Sequence, residues 1–301
     1  DILQTSDSKP AIIGRLVAIF LGVPIIVGTL TGLLGFLYSE NKKLNIKEKF
    51  IKFFYEKSLF FISKLGSQTV FQNTDDYKLF ISKGIVSKKN SAIIPSSGLD
   101  TRKFSKQNIN KKDYNKIKDE FGLSKNDFVI TCITRLVVSK GVVQLINVAR
   151  RLKKNNSNVK FIIIGPHDDA IDSISENTLD ILKKNMIWCG FRSDIKELLS
   201  ISNIFVLPQL YREGFPRVLL EAGSMGVPII TSDVPGCREL IKNGVNGILV
   251  KPGDEDELFN SIISLIKNED KRNFFAKEIR KDVVSKYDLS IIFDQYVKLY
   301  E

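Results

Sequence analysis

The segment REGFPRVLLEAGSMG, residues 212–226, sets Glu213 just before Gly214-Phe215-Pro216 and places Glu221 eight positions later, inside an apolar run. Pro216 suits the first turn of a helix, where its missing N–H costs no hydrogen bond. Glu213 then lies in a loop, and Glu221 lies about one and a half turns inside the helix. Free backbone amides near Gly214 and Phe215 face the same cleft as the loop carboxylate. One carboxylate of such a pair can accept two vicinal hydroxyls, as on a ribose. The other can face a polar ligand beside it. An ordinary helix with one buried and one solvated acid fits the same pattern, so the segment alone leaves both readings open.

A second constellation is TRLVVSKG, residues 134–141. Arg135 ends an apolar run, and Lys140 and Gly141 precede a helical pattern. Two cations converging on a helix N-terminus favour a phosphate or diphosphate; solvated loop charges are the alternative. The chain has neither GxxxxGK[ST] nor GxGxxG, which excludes a P-loop and a dinucleotide fingerprint. A third constellation is CGFRSD, residues 189–194, where the backbone and ring at Gly190, Phe191 and Arg192 suit a planar base. A core phenylalanine explains Phe191 equally well.

These groups need a frame that brings them together. From residue 127 onward, apolar runs read as strands at 127–134, 159–165, 186–191, 204–208, 227–232 and 247–250. Helical spacing fills 141–154, 170–184, 193–202 and 216–226 between them. Alternation of this kind gives βαβ crossovers and a parallel sheet, with ligands beyond the carboxyl ends of the strands. The first hundred residues repeat the theme: strands at 1–4, 24–28, 68–72 and 91–95, helices at 9–21, 46–65 and 74–83. Too few strands occur there for a complete unit. Asp1 opens as if inside a strand, so an N-terminal portion is expected to be missing. Residues 96–126 read as a polar, basic interdomain connection, and 288–301 as an amphipathic helix. The organisation expected is 1–110, 111–285 and a C-terminal helix 286–301 returning toward the first unit.

Composition narrows the function. The formal charge of +11 calls for an anionic partner: nucleic acid, an anionic membrane face or a phosphorylated substrate. The basic residues lack the interleaved aromatics of a stacking platform, which argues against nucleic acid. Three cysteines without a CxxC pair argue against a disulfide framework or zinc site and for a reducing, cytosolic setting. A single histidine, His167, and no nucleophile elbow argue against a Ser-His-Asp hydrolase. The pairs Asp75-Asp76 and Asp168-Asp169 read as surface acids rather than metal ligands. Residues 11–36 carry one charge, Arg15, and could span a bilayer by length. Gly22-Val23-Pro24 interrupts them, and a buried helix followed by a central strand is the expected reading.

The run from Arg212 to Asp254, with its Glu213-x7-Glu221 spacing, together with TRLVVSKG, resembles the nucleotide-sugar-binding domain of retaining glycosyltransferases of family 4, which have the GT-B fold. The resemblance extends over nearly the whole chain, and within the family it points to bacterial enzymes that extend polyprenyl-diphosphate-linked sugars. It implies two Rossmann-like domains facing a cleft, the N-terminal one incomplete. By that resemblance Arg135 and Lys140 bind the donor diphosphate and Glu221 the ribose. Glu213, with the backbone of Gly214, Phe215 and Pro216, meets the donor sugar. Phe191 and Arg192 flank the base, and Gly165 joins the donor site. It further implies a UDP-linked donor, a lipid-linked or glycan acceptor and no metal or other cofactor. Many relatives carry His-Gly where this chain has Thr31-Gly32 on the acceptor side, so an imidazole contact is absent. A sugar-nucleotide-binding protein without catalysis, an epimerase and a phosphorylase of the same architecture remain rivals.

A location at the inner face of the plasma membrane is expected on the same grounds. Residues 1–105 carry a net excess of seven positive charges. Helix 46–65 sets Lys47, Lys49, Lys52, Lys57 and Lys64 beside a Phe-rich run, as expected of a helix lying on an anionic bilayer. Phe50, Phe53, Phe54 and Phe60 are its expected exposed flank.

Overall fold

A computed structural model describes residues 1–32, 38, 44–155, 158–170 and 172–301. The end of the acceptor-side loop, residues 33–35, falls outside them. Two parallel α/β units face each other. The first contains β1 (Ile2–Ser6), α1 (Ser8–Phe20), β2 (Ile25–Leu30), α2 (Ile46–Lys64), β3 (Gln68–Phe71), α3 (Thr74–Ser82) and β4 (Ser91–Ile93). Its strands lie in the order β1-β2-β3-β4, all parallel. The sheet grows in one direction with no reversal.

The second unit begins with α4 (Lys111–Glu120) and β5 (Phe128–Ile133), then α5 (Val142–Asn155), β6 (Val159–Ile164), α6 (Glu176–Asn185) and β7 (Ile187–Trp188). It continues with α7 (Ile195–Ser200), β8 (Ile204–Leu207), α8 (Arg217–Ser224), β9 (Ile229–Ser232), α9 (Cys237–Leu240) and β10 (Ile248–Val250). Two long helices follow, α10 (Glu255–Lys267) and α11 (Glu269–Lys286). The strand order is β10-β9-β8-β5-β6-β7. β8 and β9 are buried throughout, as both faces of this sheet carry helices and strands there must be apolar on both sides. The chain builds outward from β5 to β7, then returns to place β8 on the other side of β5. That reversal opens a crevice between the loops after β5 and β8, where a doubly wound sheet binds its ligand.

The final helix, α12 (Leu289–Tyr300), leaves the second unit and packs on the first sheet. Its Ile292 is buried with Val27, Val70 and Ile94. The Tyr296 and Thr29 hydroxyls are 3.1 Å apart. The chain thus crosses between the units twice, and the crossings are paired. The Leu99 amide donates to the Tyr287 carbonyl (3.1 Å), and the Leu289 amide donates to the Leu99 carbonyl (2.9 Å). Thr101 donates to the Asp288 carboxylate through its amide and its hydroxyl. Gly98 has φ +77°, and a Cβ there would approach the Leu289 Cα to 3.0 Å.

Several elements depart from the sequence pattern. The connection 96–126 contains α4, a polar helix capped by Asn110 and anchored by one buried side chain, Ile117. The helix expected at 170–184 starts only at Glu176, where Ser175 caps it; before that, Ser173 bridges to Val137. The strand at 186–191 shortens to two residues. Pro216 is the N-cap of α8 rather than a residue of its first turn. Residues 251–287, given no element by pattern, hold α10 and α11. Among the described residues no helix is long and apolar enough to cross a membrane. The one charge in residues 11–36, Arg15, is fully buried and donates to the Ser67 and Thr69 hydroxyls.

Candidate active site

The crevice at the β5/β8 reversal is built by tight backbone packing. Gly141 follows β5, in the left-handed region at φ +71°, and a Cβ there would lie 1.9 Å from the Pro208 carbonyl oxygen. The Leu210 amide donates to the Ser139 carbonyl (2.8 Å), so the loops after β5 and β8 are laced together. Gly165, after β6, has φ +147°, and its Cβ would lie 1.8 Å from the Thr134 carbonyl oxygen. Glycine at these two positions lets three strand ends converge within backbone contact.

Lys140 emerges from this lacing. Its ammonium forms an ion pair with the Glu213 carboxylate and lies 3.4 Å from Gln209 Oε1. Arg135 leaves the end of β5 with its side chain more than half exposed and a guanidinium nitrogen 4.0 Å from Asp168. Across the crevice, Gly214 packs against the first unit: a Cβ there would meet the Thr31 carbonyl oxygen at 1.8 Å. Gly32 faces the Gly214 amide, 3.5 Å from where its own Cβ would be. Thr31, Gly32, Glu213, Gly214 and Lys140 therefore share one cleft wall to wall.

Glu221 lies within α8, nearly buried, and its ion pair is with Arg217 one turn earlier (3.2 Å). Burial raises its pKa, with Arg217 opposing. The ring of Phe215 turns into the core against Tyr287, which leaves only its backbone available to a ligand. At the rim, Phe191 is 79% exposed, which removes the core reading for that ring. Arg192 donates to both Glu120 and Asp194, and these bonds raise its pKa further. Its charge is already matched, so what it offers a ligand is an anchored edge beside Phe191.

Pattern reading overlooked Gln209, Gln72, Asn73 and Arg212, and it misplaced Asp76. Asp75-Asp76 were expected at the surface; Asp76 is only 2% exposed and ion-paired with Arg212 at 3.2 Å. Asp168, by contrast, is exposed. Beside the cleft, a cavity of about 460 Å³ opens at the carboxyl ends of β1 to β4. Gln4, Ser6, Thr29, Thr31 and Gln72 line it, and it reaches Phe215 and Arg217. A depression of about 530 Å³ at Asn243, Glu257 and Lys271 lies by the β10 edge, away from these residues. Among the described residues, no group of three or more His, Cys, Asp or Glu side chains could hold a metal ion. Cys132 and Cys237 are buried and Cys189 half-buried, all free, with burial raising each thiol pKa to about 11 or 12.

The profile of the family described as glycosyl transferases group 1 matches residues 113–282. The chain belongs to this family. Among characterised glycosyltransferases, it is 31% identical to the Escherichia coli UDP-Gal:alpha-D-GlcNAc-diphosphoundecaprenol alpha-1,3-galactosyltransferase, over all of this chain and 75% of that protein. It is 30% identical to the Campylobacter jejuni N,N'-diacetylbacillosaminyl-diphospho-undecaprenol alpha-1,3-N-acetylgalactosaminyltransferase, over all of this chain and 77% of the other. Among solved structures, Anabaena HepE in complex with UDP-glucose superposes with a TM-score of 0.80 at 22% identity, covering 99% of this chain and 78% of that one. A glycosyltransferase from Rickettsia africae superposes with a TM-score of 0.81 at 18% identity, covering 100% and 76%. This glycosyltransferase has the GT-B fold, two Rossmann-like halves with parallel sheets.

Proposed function

We propose that the chain transfers a hexose or N-acetylhexosamine from a UDP-sugar to a sugar carried on a polyprenyl diphosphate, in the synthesis of a cell-surface glycan. The observation that carries this reading is the Lys140–Glu213 pair at the sheet reversal, beside Gly214 where it packs against Thr31 and Gly32 of the opposite wall. Names of the relatives point the same way: both the E. coli and the C. jejuni enzymes use diphosphoundecaprenol-linked acceptors.

In this reading Arg135 and Lys140 bind the donor diphosphate and stabilise the charge that develops as it leaves. Such electrostatic stabilisation is usually the largest catalytic contribution. Glu221 exchanges Arg217 for the ribose hydroxyls. Glu213 and the backbone amides at Gly214 and Phe215 hold the donor sugar, while Phe191 and the edge of Arg192 flank the base. The two cations serve where other transferases use a metal, so the reaction is metal-independent, and it proceeds at one face of the anomeric carbon, with retention, as in family 4. The hydroxyl and amide lining of the cavity beside the cleft, joined by Arg217, suits the acceptor sugar.

The enzyme works from the cytoplasmic face of the membrane. Ile13, Val17, Phe20 and Leu21 of α1 and its end, and Phe50, Phe53, Phe54 and Phe61 of α2, are all exposed. Lys47, Lys49, Lys57 and Lys64 flank them. Large rings bordered by lysines fit an anionic bilayer, each basic residue adding about 1 kcal/mol near the surface. Two details differ from the pattern reading. Phe60 is half-buried and Phe61 is the exposed ring, and Lys52 sits 4.3 Å over the Tyr38 ring, turned toward the protein.

Turnover of a panel of UDP-sugars with a short-chain lipid-diphosphate sugar acceptor, followed by NMR of the anomeric proton, tests the proposal. Transfer with the donor's configuration is expected. Donor binding without turnover across the panel would favour a binding protein, and an inverted product would overturn retention. Activity that survives chelator and is unchanged by added magnesium is expected.

A further inference from the structure

Asn73 and Asp76 have no part in the reaction as proposed above, yet both are almost wholly buried beside it. Asn73 caps α3: its side-chain oxygen accepts from the Asp76 amide at 2.8 Å. Its side-chain nitrogen, with two hydrogens, lies within hydrogen-bond distance of three acceptors, two of them on the second unit. These are the Glu213 carbonyl (3.1 Å), the Gly214 carbonyl (2.8 Å) and the Asp76 carboxylate (2.9 Å). A helix cap needs only the oxygen. The nitrogen therefore does something else: it reaches across the cleft and fixes the two peptides that carry Glu213 and Gly214.

The surroundings reinforce this contact. Asp76 pairs with Arg212, the residue before Glu213. The Glu213 amide donates to the Pro235 carbonyl (3.1 Å), and Gly236, at φ +91°, packs so closely that a Cβ would lie 2.6 Å from the Glu213 carbonyl oxygen. On the far side, the Thr74 amide and hydroxyl donate to Glu239 of α9 at 2.9 and 3.1 Å. The start of α3 thus grips the second unit at two places, and one of them is the peptide behind the Glu213 carboxylate. Displacing that peptide moves the carboxylate relative to Lys140, and misplacement of a reacting group by about 1 Å costs on the order of 100-fold in rate.

We propose that Asn73 and Asp76 are positioning residues: Asn73 holds the Glu213 and Gly214 peptides across the cleft, Asp76 holds Asn73 and Arg212 in place, and this clasp sets Glu213 for transfer when the two units close. The proposal rests on the glycosyl-transfer reading for its kinetic consequences, but the clasp itself does not depend on it.

A pH signature accompanies the geometry. Burial raises the Asp76 pKa to about 6, opposed by Arg212 and Asn73 and reinforced by Asp75 and Glu239. Above pH 6 the carboxylate is charged and attracts Arg212; as pH falls through 6 it is neutralised and that attraction is lost. Stability moves the other way. A raised acid pKa means the folded state holds the proton more tightly, so this group's stabilising contribution is present below the unfolded value of 3.8 and lost as pH rises through 6.

Asn73→Ser is the test, because serine keeps the cap and removes the nitrogen. Hydrogen–deuterium exchange of peptides spanning 208–216 is expected to rise about tenfold, with peptides of α3 unchanged. In turnover, kcat should fall about 10- to 100-fold with the donor KM within about threefold. Asp76→Asn should lack the acid limb near pH 6 in kcat and should melt no lower than the natural chain at pH 7.5. Unaltered exchange at 208–216 in Asn73→Ser overturns the clasp, as does an unaltered acid limb in Asp76→Asn. A natural chain that turns over no donor would overturn the transfer reading, and the exchange measurement would still decide the clasp.

Discussion

The two halves are made of the same units and finish them differently. In the second half, amphipathic helices on both faces bury the sheet; α8 alone buries Leu219, Leu220 and Ala222. In the first half, twelve of the twenty-two exposed large apolar side chains among the described residues fall within the first 65 positions. α2 uses Tyr55, Leu59 and Ile62 to cover its sheet and still holds Phe50, Phe53, Phe54 and Phe61 on a second flank. One helix cannot bury the same face twice, so those rings were not placed there for the core. Under the proposed function this contrast is a division of labour: the second half holds the donor and the charges for chemistry, and the first half meets the surface on which the acceptor is carried.

Lys140→Ala breaks the comparison most sharply. We expect kcat to fall about 100- to 1,000-fold, the loss typical of removing one group that stabilises developing charge. UDP affinity should weaken by about 1.5–3 kcal/mol in calorimetry. Vesicle binding should be untouched; a loss of both would mean that the halves do not divide the work. The mirror experiment is Phe50→Ser with Phe54→Ser. Each ring is worth about 1.5 kcal/mol or more when removed from water, so co-sedimentation with phosphatidylglycerol vesicles should drop on the order of 100-fold. Turnover with a water-soluble acceptor should stay within about twofold.

Charge reversal at Lys47 and Lys49 should weaken vesicle binding by more than about 30-fold at low salt and have little effect in high salt. Binding that ignores both the reversal and the salt would leave the rings as the whole interaction. Glu221→Gln is the mildest change. UDP binding should fall roughly three- to tenfold, as expected for one charge-assisted hydrogen bond weakened to a neutral one. Binding of 2'-deoxy-UDP should change less; equal losses for both nucleotides would detach Glu221 from the ribose.

Much of the fold could be read locally. Central strands are apolar on both faces, and Gly or Pro stands at their joins, so the alternation survives without any knowledge of distant contacts. α4 was harder: it is charged along nearly its whole length and signals its helix only through the Asn110 cap and the lone buried Ile117. The candidate site divides in the same way. Glu213, Lys140 and Arg135 announce themselves because they lie in the loops after strands, the first two with glycine beside them. Asp76 looked like a surface acid, since nothing within α3 speaks of burial. What buries it is a loop some 140 positions away in sequence, and no local pattern carries that. Asn73 went unread for a similar reason: its oxygen caps α3 locally, but its nitrogen answers to carbonyls of the second unit.

The paired crossings at Leu99 and Asp288 bear on how the molecule moves. One connecting strand would let the units swivel freely; two strands bonded side by side leave bending about a single line as the easy motion. That line passes through Asp288, whose pKa is held down to about 2 by Thr101 and Ser290. In the clasp, burial raises the Asp76 pKa to about 6, some four decades of acidity earlier. Mild acid is therefore expected to weaken the Asp76–Arg212 attraction while Asp288 stays charged and bonded to Thr101 and Ser290.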